Sequence, residues 1–401
     1  LFEEEEFPWR SDPLPPLLPK AAAAPVREPA AIRPDHARLA RLAKALQVPA
    51  IPSFPFGIYI CSGPYKRDDG VKAHGLALGV PFLEFDNGDD CPGAAGGWAH
   101  DLRNDVFYDA LYELAAIPGA VCTVVVSQDC TTYSYSRFWP RDPPGPPIVR
   151  NSDAPDGLDL ADIPEAHHRE LRDANDVNRR ICDFITHAHL HGASFTMENP
   201  APRHDSRLLG GRLHGPGSPP NAKKHGSLWL TTPVRTLAKT AGARLVTFAY
   251  CTLPAATGFP APLSPQKYTS LMYSPDLHGT LGLLAPVLCN HTGPHPDAPH
   301  HRNADGSWPT KHLSPWPAPL CAIVAHAAAH RGTDGPSSLA DVSIIGRPVN
   351  PPLKPTGHIP EPVSDDHSTH QLADPVADND VEEPDDPGPE PIAEPSPSAG
   401  R

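Results

Sequence analysis

The chain reads as an α/β protein built on a doubly wound sheet, with Pro-rich disordered termini. Three observations predict this. Short segments rich in Val, Ile and aromatic residues alternate with helix-like segments between residues 55 and 330, the pattern of strands that carry helices on both faces. Val121–Ser127 (VCTVVVS) is a continuous apolar run, as expected of a strand covered on both sides in a parallel sheet. The 55 prolines among 401 residues gather toward the two ends, where they preclude a packed core.

Residues 1–34, with a Glu3–Glu6 run and Pro13, Pro15, Pro16 and Pro19, read as disordered linker. Residues 35–54 read as a short basic helix and linker. Asp35 caps a helix from His36 to Gln47, with Leu39, Leu42 and Leu46 on one face and Arg38, Arg41 and Lys44 on another. That basic face either touches phosphate or is simply solvated. Gly57–Cys61 (GIYIC) is the first core strand and breaks at Ser62-Gly63-Pro64. A helix over Asp69–Leu78 stops at Gly79, and Val80–Phe85 is the second strand. Asp105–Ala116 places Val106, Phe107, Ala110, Leu111 and Leu114 at helical spacing and stops at Pro118-Gly119. After the Val121–Ser127 strand, a long helix runs from Pro164 to His191, where Gly192 ends it. Ser194–Met197 is a strand leading into Glu198-Asn199-Pro200. A helix over Pro233–Ala241, a strand over Arg244–Tyr250 and a strand over Lys267–Tyr273 complete the order. From residue 331 to 401 the chain is acidic, Pro-rich and poor in aromatics, and reads as disordered tail.

The net charge of −14 comes from the two ends; residues 37–354 are balanced in charge. Charge therefore neither favours nor opposes a nucleic-acid partner. There is no run of about 18 apolar residues to span a membrane. The eight cysteines are dispersed, with no Cys-x-x-Cys pair, which predicts reduced thiols in an intracellular protein, not secreted. The chain opens at Leu1 without a signal-peptide pattern and is read as part of a longer reading frame.

In such a sheet a ligand binds beyond the carboxyl ends of the strands, so the polar residues there carry the functional argument. The Ser62-Gly63-Pro64 turn lets backbone approach a ligand. Glu84 and Asp86 follow at the spacing where a carboxylate takes ribose hydroxyls of an adenosine-type cofactor. Cys130, after the third strand, and Glu198, after the fourth, are candidates for nucleophile and acid on one substrate. Alternatively, Cys130 is an inert buried thiol and Glu198 a capping or ion-paired carboxylate. Cys289, His291, His295, His300 and His301 offer zinc-type ligands, but at no standard spacing, so a polar loop is the competing reading and no metal is assigned. Lys267 either contacts phosphate or is simply exposed.

The order of these segments resembles the cytosine-5 DNA methyltransferases, in particular the divergent methyltransferase-like domain of DIRS-like, tyrosine-recombinase retroelements. Ile58–Pro64, with Cys61, Gly63 and Pro64, resembles the cofactor loop. Phe82–Asp86 resembles the strand whose acid binds ribose, and His100-Asp101-Leu102 falls where the family has an Asp near adenine. Cys130–Ser134 matches the family's Cys-x-x-x-Ser, and Glu198-Asn199-Pro200 resembles its Glu-Asn motif. Gln266–Thr269 resembles a further segment of the retroelement domain.

The resemblance covers residues 55–330 and implies a Rossmann-like, class I methyltransferase sheet. It also implies S-adenosylmethionine as cofactor, held by Cys61, Gly63, Pro64, Glu84, Asp86 and Asp101, and DNA, or RNA, as partner. Residues 201–330 would include the substrate-facing part, with Ser134, Asn199, Pro200 and Lys267 as substrate contacts. In the implied mechanism the Cys130 thiolate adds to carbon 6 of a flipped-out cytosine while Glu198 engages ring nitrogen 3. Carbon 5 then takes the methyl group.

Three departures from the family pattern bear on catalysis: Asp129 stands where the family has Pro, Tyr65 where a second Gly is common, and the strand at Arg244–Tyr250 carries only Arg244 in place of a Gln-x-Arg-x-Arg segment. Asp129 and Tyr65 favour a different class of function, a catalytically degenerate module that binds nucleic acid or scaffolds. An adenine amino-methyltransferase is a further alternative, but Ser127–Cys130 lacks its paired prolines. A nicotinamide-dependent oxidoreductase would need a Gly-x-Gly-x-x-Gly fingerprint, which is missing.

Overall fold

Val121–Ser127 forms a strand at the middle of a six-stranded sheet, as its unbroken apolar run requires. The computed structural model describes residues 35–63, 67–88, 97–138, 145–203, 222–259, 267–289 and 315–344. The strands are β1 (Phe56–Ile60), β2 (Phe82–Phe85), β3 (Val121–Ser127), β4 (Ser194–Pro200), β5 (Arg244–Ala249) and β6 (Tyr268–Tyr273), in the order β2-β1-β3-β4-β6-β5. The first four pair in parallel, with Val124 beside Ile58 on one side and Phe195 on the other. The mostly parallel sheet with flanking helices is compatible with a Rossmann-like fold.

The parallel pattern stops at β4. β6 runs antiparallel to both β4 and β5 and lies between them. Between β5 and β6 the described chain holds a 3-10 turn (Tyr250–Thr252) and a short helix, α6 (Leu253–Thr257). Parallel neighbours need a long crossover, and a strand that returns without one runs antiparallel. The reversal brings the start of β6 to the same edge as the carboxyl ends of β1, β3 and β4.

Two helical layers cover the sheet. On one face lie α1 (His36–Ala45), α3 (Asp105–Ala115), α4 (His168–Leu190) and α5 (Thr232–Ala241). Their Leu42, Phe107, Leu111, Phe184 and Leu237 pack on Ile58, Val124 and Phe195. On the other lie α2 (Val71–Ala77), α6, α7 (His278–Leu281) and α8 (Ala318–Ala329), which pack Val71, Leu253, Leu281 and Ile323 on Tyr59, Val125 and Leu271.

Most expected elements are present within a few residues of their expected ends. Asp35 caps α1 by accepting from the N–H groups of Ala37 and Arg38. On the basic face of α1, Arg38 and Arg41 both pair with Glu113 of α3, while Arg41 and Lys44 remain exposed to solvent. The helix expected from Pro164 begins instead as a 3-10 turn, and α4 proper starts at His168.

Two differences are larger. α8 (APLCAIVAHAAA) is buried nearly all round, so it shows no amphipathic stripe to reveal it. The packed chain also extends past residue 331, where the tail was expected to begin. Arg331 donates to the carbonyls of Cys122 and Gly192, and Leu339, Val342 and Ile344 are buried in the second layer. The expected linker at 1–34 and the rest of the expected tail, 345–401, lie outside the described residues.

Candidate active site

A cavity of about 300 Å3 opens over the carboxyl ends of β1, β2 and β3, with α4 as its far wall. Cys61, at the end of β1, has a φ of 54° and Gly63 a φ of 73°. A positive φ in a non-glycine residue is a strained conformation of the kind that clusters at functional sites. The Gly63 N–H donates to Asp86 Oδ2 at 2.7 Å, and the Gly88 N–H donates to the other Asp86 oxygen at 2.7 Å. One carboxylate thus ties together the turns that follow β1 and β2. The Cys61 thiol sits among acids, and burial, then Asp86, Asp129 and Asp101, push it above the ordinary thiol range.

Glu84 does not join this cavity. Side chains alternate along a strand, so Glu84 shares the face of Phe82 rather than that of Leu83 and Phe85, and its carboxylate lies 3.9 Å from Lys72 on α2. Burial raises it, and Lys72 and Arg67 partly offset the rise. Of the two expected ribose acids, Asp86 alone lines the cavity. Pro64 and Tyr65 lie outside the described residues.

Asp101 lines the cavity but is already committed. It accepts from Arg103 Nε at 2.9 Å, Arg103 Nη2 at 2.7 Å, the Arg103 N–H at 2.8 Å and Asn87 Nδ2 at 2.9 Å. Burial works to raise its pKa, and these hydrogen bonds overcome it and hold the carboxyl below its ordinary value. Its role in this structure is to hold Arg103, which also reaches Asp173 on α4. The lining carries five carboxylates, Asp86, Asp101, Asp129, Glu170 and Asp173, against the single guanidinium of Arg103. Glu170 is paired outward with Arg137 and His167. Gln128 also lines the cavity; its side chain is 4% exposed and its Oε1 has no hydrogen-bond partner.

Beside the cavity, the ends of β3 and β4 and the start of β6 bring a second group together. Glu198 is 4% exposed and accepts from four side chains: Ser127 Oγ at 3.1 Å, Trp316 Nε1 at 3.2 Å, Tyr250 Oη at 3.5 Å, and Thr269 Oγ1. It neither caps a helix nor forms an ion pair among the described residues. The half-buried thiol of Cys130 is close enough to feel Asp129, Lys267 and Glu198. Burial, then Asp129, push it up to about 12; Lys267 opposes the shift and Glu198 adds to it. Asp129 accepts from the N–H and hydroxyl of Thr131 at 3.0 and 2.6 Å, closing the turn that presents Cys130. Lys267 Nζ lies 4.8 Å from the centre of the Tyr250 ring. Tyr250 touches both Glu198 and Lys267, and Cys130 lies within electrostatic reach of the two, although none of the three lines the cavity itself.

The other expected substrate contacts make the following bonds within the described residues. Asn199 Nδ2 donates to the Gln128 carbonyl at 3.1 Å while its Oδ1 is buried without a partner. The Pro200 carbonyl accepts from Trp229 Nε1 at 2.9 Å. Ser134 shares a 2.7 Å hydrogen bond with Ser136. Buried Arg150 braces the Cys130 turn from beneath, with its guanidinium 4.0 Å from the Tyr133 ring centre and donating to Thr132 and Asn175.

Gln128, Arg103, Tyr250, Thr269 and Trp316 were not singled out by sequence. Gln128 had a signal, since it precedes Asp129-Cys130 at a strand end; Trp316 had none. Cys289 packs with Ala201, Ala249, Cys251 and Tyr268 in a small apolar cluster. His291, His295, His300 and His301 lie outside the described residues, and among the described residues no three potential ligands gather for a metal. No helix of the described residues is long and apolar enough to cross a membrane. Compared with known proteins, the chain matches no family model, no curated protein and no solved structure.

Proposed function

We propose that the chain transfers a methyl group from S-adenosylmethionine to carbon 5 of cytosine in DNA, with Cys130 as nucleophile. The observation that carries this reading is the approach of Cys130, Glu198 and Lys267, from three strand ends, to the margin of an acid-lined cavity. With Asp101 and Asp173 paired to Arg103 and Glu170 to Arg137, Asp86 and Asp129 are the lining carboxylates without a paired cation among the described residues, and they suit a ligand bearing sulfonium and ammonium charges. They repel a pyrophosphate, which argues against a nicotinamide cofactor. A dinucleotide-binding sheet is also built of two like parallel halves, which the reversed β6 breaks.

The residues fit the cofactor in three respects. Asp86 stands at the end of β2 to take ribose hydroxyls. Gln128 Oε1 is a buried acceptor without a partner. A side-chain carbon at Gly63 would meet nothing within 4 Å, so the turn is open to a ligand. S-adenosylmethionine, when bound, supplies the methyl group. Cys130 must lose its proton to add to carbon 6, with Lys267 as the nearby cation that favours the thiolate. Glu198 must release one of its four donors to engage ring nitrogen 3. After methyl transfer, loss of the carbon-5 proton expels the Cys130 thiolate and restores the ring.

A second reading is favoured by specific observations. The Cys130 thiol is held protonated at neutral pH by burial and by Asp129. The four donors on Glu198 fill the roughly four acceptor sites of a carboxylate. Under this reading the chain is a methyltransferase-like module that binds cofactor or nucleic acid without reaction. Incubation with tritiated-methyl S-adenosylmethionine and unmethylated DNA, followed by nucleoside analysis, separates the two. Label in 5-methylcytosine that disappears in Cys130→Ser supports the enzyme. Label on an adenine amino group, or label independent of Cys130, rejects the nucleophile. Calorimetric cofactor binding without label leaves the non-catalytic module.

A further inference from the structure

The two halves of the rim differ in charge. The half over β1, β2 and β3 is acidic, whereas the half over β4 and β6 presents Lys267 and Arg203. Arg203 lies just past β4, and its N–H donates to His225 Nδ1 at 3.1 Å. With Nδ1 accepting, the proton of the neutral ring sits on Nε2, which lies 2.8 Å from the Tyr133 carbonyl in the Cys130 turn. The guanidinium of Arg203 lies 5.0 Å from the ring centre of Tyr135 and 5.5 Å from that of Tyr268. Of the other arginines near the Cys130 turn, Arg137 pairs with Glu170, and Arg150, 1% exposed, donates from its two Nη atoms to Thr132, Asn175 and the Pro155 carbonyl while its Nε has no partner. No carboxylate of the described residues pairs with Arg203. Its desolvation holds the guanidinium below the ordinary arginine range, and a half-buried cation without an anion is costly. Stacking uses the faces of the guanidinium, and among the described residues no acceptor takes its N–H edge, which suits a planar, bidentate acceptor.

We propose that Arg203, clasped by Tyr135 and Tyr268 beside the Cys130 turn, is a contact for a nucleic-acid phosphodiester. This deepens the reading above and rests on it. The two sources of that phosphate, DNA and RNA, share the chemistry and are separated by the test. Labelled duplex DNA and RNA of the same sequence are titrated by fluorescence anisotropy at a series of KCl concentrations. The proteins are the full chain, Arg203→Gln, which keeps a planar group near the tyrosines without charge, and Arg203→Lys. On the nucleic acid that the unaltered chain binds, Arg203→Gln is expected to weaken binding roughly tenfold at low salt. It should also flatten the slope of log K against log [salt] by about 0.9 for duplex DNA, or about 0.7 for a single strand. Arg203→Lys should keep the slope. A role confined to packing would lower stability without moving it. Parallel slopes for the unaltered chain and Arg203→Gln overturn the assignment while leaving the proposed function standing. Failure of the unaltered chain to bind either nucleic acid overturns both. Should the Gln variant unfold, Arg203→Met, apolar and nearly as long, repeats the measurement.

Discussion

At the scale of the residue, the two groups that decide the chemistry are Cys130 and Gln128. A thiol reacts as its thiolate, and Cys130 is pushed up to about 12. Its reactivity should therefore climb about tenfold per pH unit from pH 7 to 10, where an ordinary thiol levels off near pH 8.5. Iodoacetamide alkylation, followed at the Cys130 peptide by mass spectrometry, reads this directly; a plateau below pH 9 contradicts it. Asp129→Asn keeps an oxygen for the Thr131 turn and removes the neighbouring charge, so it should move the curve to lower pH and raise alkylation at pH 8 by roughly three- to tenfold. Gln128 gives a test of opposite sign for fold and ligand. Its Oε1 is buried without a partner, a state that costs about 1–3 kcal/mol. Gln128→Leu should leave the thermal midpoint of the free protein unchanged or higher. Cofactor affinity by calorimetry should fall about tenfold, the worth of one hydrogen bond to a charged or polar ligand group. Loss of stability with affinity intact would make Gln128 structural.

At the scale of the element, β1 and α2 approach each other through one aromatic ring. Phe82 of β2 lies between Gly57 and Gly75, and a side-chain carbon at Gly75 would come within 2.6 Å of that ring and of the Val80 carbonyl. Gly75→Ala should therefore destabilise the chain by about 1–3 kcal/mol, despite alanine's better helix propensity. Adding Phe82→Leu should cost less in the Gly75→Ala background than alone, which urea unfolding of the two singles and the double would show as coupling. What sequence revealed at this scale follows the same physics. β3 and α3 were legible because Val121–Ser127 and Val106–Leu114 carry the strand and helix patterns in full. The β-strand ends were legible too, so Cys61, Asp86, Cys130 and Glu198 could be placed at or just beyond them. Glu84 lies away from the cavity, which spacing could not reveal because it does not say which face of a strand a carboxylate takes. α8 was missed because a helix buried all round has no polar face to set its period. Tyr250, Thr269 and Trp316 meet at Glu198 from segments 52 to 118 residues away, and no local pattern encodes a meeting of that kind.

At the scale of the whole molecule, the second helical layer joins the last described residues to the candidate site. Trp316, just before α8, donates to Glu198, and Arg67 Nη1 holds the Trp316 carbonyl at 2.8 Å. Tyr250, which precedes α6, donates to the same carboxylate. Leu339, Val342 and Ile344 close this layer, and Ser338 and Asp341 fix their turn with a reciprocal capping box. Composition alone reads these residues as tail, for which substitutions would fall within about 0.5 kcal/mol of neutral. Packing gives a different expectation. Leu339→Ala in the full chain removes a buried side chain and should cost about 2–4 kcal/mol, and Val342→Ala about 1–2 kcal/mol. Both would appear as a lower urea midpoint at unchanged slope. The contrast is sharp because the sequence and packing accounts disagree by several-fold in the same measurement. Midpoints unchanged in both variants would mean that the layer ends at α8. Trp316 would then be held against Glu198 by Arg67 and by α8 itself, without support from the residues that follow.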